Sequence, residues 1–145
     1  MAFNKILEKY RNLAHSERDK GTRFERLIQA YFYTDPKYRH LEKIWLWNEF
    51  PHRSSFGGKD VGIDLVALTT EGEYWAIQCK CYQADSGISK EEVDTFLSTS
   101  GKSFEDADKN RIKFSYRLWV STTNKWTSTA NETLLHQDPP VTRLS

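Results

Sequence analysis

Asp64, Gln78 and Lys80 place a carboxylate, an amide and an amine in two short runs, residues 64–69 and 74–80, whose other side chains alternate as strands do. Thr70, Glu71 and Gly72 lie between the runs and suit a three-residue hairpin loop, with Gly72 in the left-handed position such loops require. That loop sets Asp64 opposite Gln78, and strand alternation sends Lys80 out on the same face. A carboxylate and an amide oxygen at that separation suit a hard cation such as Mg²⁺, which keeps several waters. An ammonium beside it can orient an attacking water or stabilise charge on a phosphate. Together these groups describe phosphodiester hydrolysis. The same spacing also fits an Asp64–Lys80 ion pair at a sheet edge, with Gln78 filling a hydrogen bond.

The hairpin needs a scaffold to hold it. Phe3, Ile6, Leu7, Tyr10 and Leu13 follow helical spacing, and Phe24, Leu27, Ile28, Tyr31 and Phe32 repeat it. Pro36 ends the second helix, and residues 41–50 read as a first strand. A glycine-bearing loop over 52–62 leads into the hairpin. Ser89 and Glu92 have capping-box spacing ahead of a helix at about 89–101. Residues 103–111 read as an exposed connector, 114–123 as a strand and 127–136 as a last helix. The expected fold is an α/β sandwich, α-α-β-β-β-α-β-α, around a mixed four-stranded sheet. Residues 1–137 form the domain, and 138–145, with their Pro-Pro pair, read as the start of a linker.

At 145 residues and 38% hydrophobic the chain suits one domain with a real core. It shows neither a membrane span nor a signal-peptide core, so the expected compartment is the cytoplasm. Residues 1–53 carry 11 Lys and Arg against 7 Asp and Glu, residues 54–113 carry 7 against 11, and the net charge is +1. A near-neutral domain grips phosphates weakly, so a polynucleotide would be delivered by something else. Cys79 and Cys81 read as reduced strand residues rather than zinc ligands, because no spaced partners complete a site. The four histidines show no pair or triad spacing, and the five tryptophans read as packing.

The run Asp64, thirteen residues, Gln78, one residue, Lys80 resembles the PD-(D/E)XK nucleases in their Mrr-like restriction endonuclease branch, where glutamine commonly replaces the second acid. "KGTRFERLIQAYF" resembles the first-helix motif of that family, "GGKDVGIDLVA" the approach to its metal-binding aspartate, and "LWVSTTNKWTSTANE" the strand and helix that close its fold. The likeness is nearest to the N-terminal nuclease domain of single-polypeptide type I (type ISP) restriction-modification enzymes. It implies a bacterial Mg²⁺-dependent DNA endonuclease, with Mn²⁺ as a substitute and little sequence preference. Asp64 is then the main metal ligand, Gln78 and the Cys79 carbonyl are further ligands, Lys80 is the catalytic lysine, and Glu25 on the first core helix helps hold the metal. Thr22 and Glu25 also have capping-box spacing, which offers a purely structural role for Glu25. Arg53, Lys59 and Lys90 flank the site as DNA contacts, and Asp60 could add charge. The implied partners are double-stranded DNA, a following helicase-like ATPase, methyltransferase and target-recognition domains, and a second nuclease module for double-strand breaks. The competing expectation is a nuclease fold kept as an inactive DNA-binding or structural module.

Overall fold

The computed structural model describes residues 17–56, 62–80, 87–122 and 125–144. The helix expected over residues 3–14 lies outside these, as do Lys59, Asp60 and Cys81. Helix α1, Glu17–Thr34, turns Phe24, Ile28, Tyr31 and Phe32 inward at three- and four-residue spacing, and all four are buried. Asp35 then accepts from the Lys37 N–H at 2.9 Å and caps a 3-10 turn, Pro36–Tyr38, that ends the helix. Strand β1, Leu41–Leu46, stops earlier than its apolar run because Trp47–Glu49 winds into another 3-10 turn. Strands β2, Leu65–Thr69, and β3, Tyr74–Lys80, form the hairpin. Helix α2, Lys90–Ser100, is capped by the Ser89 side chain, which accepts from the Glu92 N–H.

The remaining elements are β4, Ser103–Glu105; β5, Arg111–Lys113; β6, Tyr116–Ser121; α3, Ser128–Leu134; and β7, Val141–Leu144. The main sheet runs β1-β2-β3-β6-β7, antiparallel through β3 and parallel from β3 to β7. It therefore has five strands where four were expected. Residues 141–144 pair with β6 rather than leave the domain as a linker, because the buried guanidinium of Arg117 holds the approach to them through the Pro139 carbonyl. The presumed connector at 103–111 likewise contains β4 and the start of β5, a small hairpin pinned down by buried Phe104 and, just beyond β5, Phe114.

Leu65, Val66 and Ala67 are all buried, as are Trp75 through Cys79, so the central strands are covered on both faces. α1 packs on one face against Leu65, Ala67, Trp75, Ile77, Cys79, Leu118 and Val120. α2, α3 and the β4–β5 hairpin cover the other through Val93, Phe96, Ala130, Leu134 and Phe104, against Val66, Ala76 and Trp119. Burying a large side chain such as Phe24, Ile28 or Phe32 contributes about 1.5–3 kcal/mol, whereas an exposed ion pair such as Arg26–Glu49 contributes about 0–1 kcal/mol. The apolar face therefore decides that α1 docks. Among the described residues no helix is long and apolar enough to cross a membrane.

Candidate active site

The hairpin loop is the three-residue type the sequence suggests. Gly72 has φ +85° and its N–H donates to the Thr69 carbonyl at 3.0 Å, and Leu65 pairs with Ile77 and Val66 with Ala76. The ladder does not run on to Asp64, however. Its N–H donates to the Ile77 carbonyl at 2.9 Å, although Ile77 already faces Leu65, so the strand slips by one residue as at a bulge. Asp64 thus does not face Gln78 as a strand partner. The slip frees its side chain to take the place of the missing strand: Oδ2 accepts from the Cys79 N–H at 2.9 Å.

Gln78 is buried beside two acceptors, and with its amide assigned so that the nitrogen faces them it donates to Asp64 Oδ2 at 3.0 Å and to the Gly62 carbonyl. Because N–H and C=O of one strand residue point the same way, the Cys79 carbonyl leaves β3 on the side of Asp64. Lys80 is half-buried at the strand's end, where its own carbonyl accepts from the Thr122 N–H at 3.1 Å. Parallel pairing with Ser121 fixes the same stretch of backbone.

Glu25 approaches from α1. Thr22 and Glu25 both lie inside Glu17–Thr34, so the capping role does not arise. Burial, then the Asp64 carboxylate, push its carboxyl up from 4.5 to about 7, while Arg26 and Lys80 pull it back. Burial also raises the Cys79 thiol well above its usual value, with Asp64 and Glu25 adding to the effect, so its side chain is an inert core thiol. Asp64, Gln78 and the Cys79 backbone thus meet at the start of β2, with Glu25 near enough to feel the charges of both Asp64 and Lys80. Among the described residues no three His, Cys, Asp or Glu side chains gather into a metal-holding group, so the acidic part of this cluster is two carboxylates. Arg53 and Lys90 are engaged with other groups: Arg53 donates to the Phe50 carbonyl at 3.0 Å, and Lys90 pairs with Asp94 at 2.6 Å.

The family described as restriction endonuclease, of the Mrr type, matches residues 33–145, which includes Asp64, Gln78 and Lys80. The chain belongs to that restriction endonuclease family. Among solved structures this nuclease domain is similar to an ATP-dependent Type ISP restriction-modification enzyme, LlaBIII, bound to DNA, with 29% identity and a TM-score of 0.68. The likeness covers 95% of this chain and 8% of that enzyme. Among curated proteins none matches. The nuclease domain is thus Mrr-like and related to the type ISP enzymes. The family match starts after Glu25, whose place in the cluster rests on the geometry of α1.

Sequence reasoning missed Gly62. It has φ +72°, and a Cβ there would stand 2.9 Å from Thr95 Cγ2 and 3.1 Å from the Phe96 N on α2. Its carbonyl also receives the Gln78 amide. The only signal in the sequence is a glycine two residues before the acid. Gly62→Ala is expected to destabilise the nuclease domain by about 1–3 kcal/mol, read from urea unfolding. Shortening the neighbour with Thr95→Ala should leave most of the loss, since the strained φ and the Phe96 main chain remain. Full recovery would show that only the methyl contact matters.

Glu25 gives stability a pH dependence. Between about 4.5 and 7 the folded domain keeps a proton that the unfolded chain has released, so stability falls as pH rises through that window. Urea unfolding at pH 5 and pH 8 should show this fall in the wild type and a smaller one in Glu25→Gln. Equal pH dependence in both would remove Glu25 as its source.

Proposed function

We propose that this domain hydrolyses DNA phosphodiester bonds with the help of one divalent ion, Mg²⁺ or Mn²⁺, and that it is the cleavage part of a larger ATP-dependent restriction-modification enzyme. The supporting observation is the arrangement around Asp64. Its Oδ2 lies 3.0 Å from the Gln78 amide head, about the separation of two neighbouring oxygens in an octahedron with ~2.1 Å bonds. The donor set also fits: Asp64 and Glu25 bring charge, while the Gln78 amide oxygen and the Cys79 carbonyl bring neutral oxygens, all hard ligands. With one neutral amide in place of a carboxylate, a single ion at modest affinity suits the set better than two.

When bound, the ion lowers the pKa of water and polarises the phosphate. The rest falls to the chain. Asp64 and the Cys79 carbonyl would supply oxygen ligands, their positions fixed by the slipped ladder. Gln78, with its amide turned, would supply a further oxygen. Glu25, whose carboxyl burial holds up without an ion, would be charged beside a cation and help hold it. Lys80 would place its ammonium near the scissile phosphate, orienting the attacking water and offsetting negative charge as the new P–O bond forms and the sugar oxygen leaves, protonated by solvent.

The near-neutral charge suits a module to which DNA is delivered. In a larger polypeptide like the type ISP enzyme, helicase-like ATPase, methyltransferase and target-recognition domains would do the delivering, and a second nuclease module would cut the other strand. The alternative of an inactive scaffold has one observation in its favour, that the Gln78 amide and the Cys79 N–H both donate to Asp64 Oδ2. Against it stands the cost of holding Glu25 half-buried beside a second carboxylate, which a scaffold has no reason to keep. Calorimetric titration with Mg²⁺ or Mn²⁺ tests the reading: heat of binding in the wild type should vanish in Asp64→Ala. Binding that persists unchanged would place the ion elsewhere.

A further inference from the structure

One stripe of α1 is polar and is bonded to the edge of the sheet and to the turn that follows it. Arg26, Gln29 and Tyr33 lie within roughly 60° of one another around the helix at 100° per residue. The Tyr33 hydroxyl accepts from the Ile44 N–H at 2.8 Å and donates to the Ile44 carbonyl at 3.3 Å, and Gln29 Nε2 donates to that same carbonyl at 2.7 Å. Arg26 links Gln29 Oε1, at 3.1 Å, to Glu49 Oε2, at 2.9 Å. Glu49 in turn accepts from the Leu46 N–H through Oε1 at 3.1 Å. Four side chains therefore join α1 in one connected network to both ends of the Ile44–Glu49 stretch.

Such a network does what apolar packing cannot. Burial of Phe24, Ile28 and Phe32 is non-directional and leaves the helix free to slide or roll by small amounts over the sheet. Hydrogen bonds to the main chain of Ile44 carry distance and angle requirements and fix the helix in register. Tyr33 is 52% exposed, so its ring adds little to the core; its hydroxyl is what joins it to the sheet. Protection of the β1 edge against strand addition explains the contacts at Ile44. It does not explain Arg26–Glu49, which carries the stripe past the strand into the 3-10 turn. Glu25 sits between this stripe and the apolar face, about 40° from Gln29 and about 20° from Phe32 around the helix. Any slide or roll of α1 moves it directly.

We infer that Arg26, Gln29, Tyr33 and Glu49 are positioning residues for Glu25: they set where along the sheet its carboxylate meets Asp64 and Lys80, without themselves touching the site. The inference rests on the metal-site reading above. A double-mutant cycle separates the two. Mn²⁺ affinity is measured by calorimetry for the wild type, Tyr33→Phe, Glu49→Gln, Glu25→Gln, Asp64→Ala and the Tyr33→Phe/Glu25→Gln pair, with circular dichroism as the check on folding. Tyr33→Phe removes one oxygen at an exposed position, and Glu49→Gln provides a second cut in the same network. Each is expected to weaken Mn²⁺ binding on the order of tenfold, the lower end of the loss found when outer-shell partners of metal ligands are removed. In the Glu25→Gln background, Tyr33→Phe should change nothing further. An equal loss in both backgrounds, or no loss in either single variant, would overturn the positioning role while leaving the metal site standing. A wild type that binds no Mn²⁺, or an Asp64→Ala variant that binds as well as wild type, would overturn the metal-site reading and this inference with it.

Discussion

Lys80→Ala lowers plasmid nicking by a factor on the order of 10²–10³ and leaves Mn²⁺ affinity equal to or slightly above that of the wild type. The two halves of this expectation have one cause. Lys80 supplies positive charge rather than an oxygen ligand, so its removal takes away stabilisation of the developing phosphate charge and a positive neighbour that repels the ion. Its backbone is held by the Thr122 N–H and by pairing with Ser121, so truncating the side chain should not move Gln78 or Cys79. Lys80→Arg keeps the charge but spreads it over a planar fork on a different stem, and should recover only part of the rate. Gel-based nicking assays beside calorimetry would read both quantities. Cleavage undiminished in Lys80→Ala would remove the lysine from the mechanism, and a large loss of metal affinity would make its role structural.

Arg117→Met costs the fold about 2–4 kcal/mol, with the midpoint of urea unfolding falling by roughly 1–2 M. Arg117 is 2% exposed and lies at the end of β6 away from the site, opposite Ala76. Its Nε and Nη2 donate to the Pro139 carbonyl at 3.1 and 2.6 Å, Nη1 to Ser100 Oγ at 3.2 Å, and Nη2 to Gln137 Oε1 at 3.2 Å. Burial lowers its pKa and Asp138 partly restores it, yet a guanidinium stays charged throughout the working range. Methionine retains most of the packed stem, so the loss reports the hydrogen bonds and the carbonyl left unpaired inside. Because Arg117 ties the end of α2 and the lead into β7 to one strand, β7 should be first to loosen. Hydrogen exchange at residues 141–144 would show that, and an unchanged midpoint would contradict it.

The hairpin was legible because its information is local. Alternation gives the faces of β2 and β3, Gly72 gives the loop, and the loop gives the register. The helix cap at Ser89 was readable for the same reason, since it is satisfied within three residues: Ser89 accepts from the Glu92 N–H. What failed depended on distant partners. Nothing within residues 141–144 marks a strand beyond Val141 and Leu144; the segment becomes β7 because β6 offers an open parallel edge and Arg117 holds its approach. The β4–β5 hairpin was hidden because seven of the nine residues at 103–111 are polar, and only Phe104 and Phe114, packed under Phe50 and Phe56, anchor it. At the site the sequence supplied the residues and their proximity, but not the slip at Asp64. That slip accompanies a bond just past β1, where the Trp47 N–H donates to the Asp64 carbonyl at 2.9 Å and ties the same backbone to a distant partner. The likeness to Mrr-like nucleases pointed to Glu25, but the sequence did not show the strip of α1 that carries it to its place.

Gln78 gives the cluster a neutral neighbour where an acid would be a third carboxylate beside Asp64 and Glu25 and would repel both. An amide can present either end, so on the proposed reading it would turn a hydrogen toward Asp64 without a cation and an oxygen toward a bound one. The swing of one side chain would then separate the idle form from the armed one.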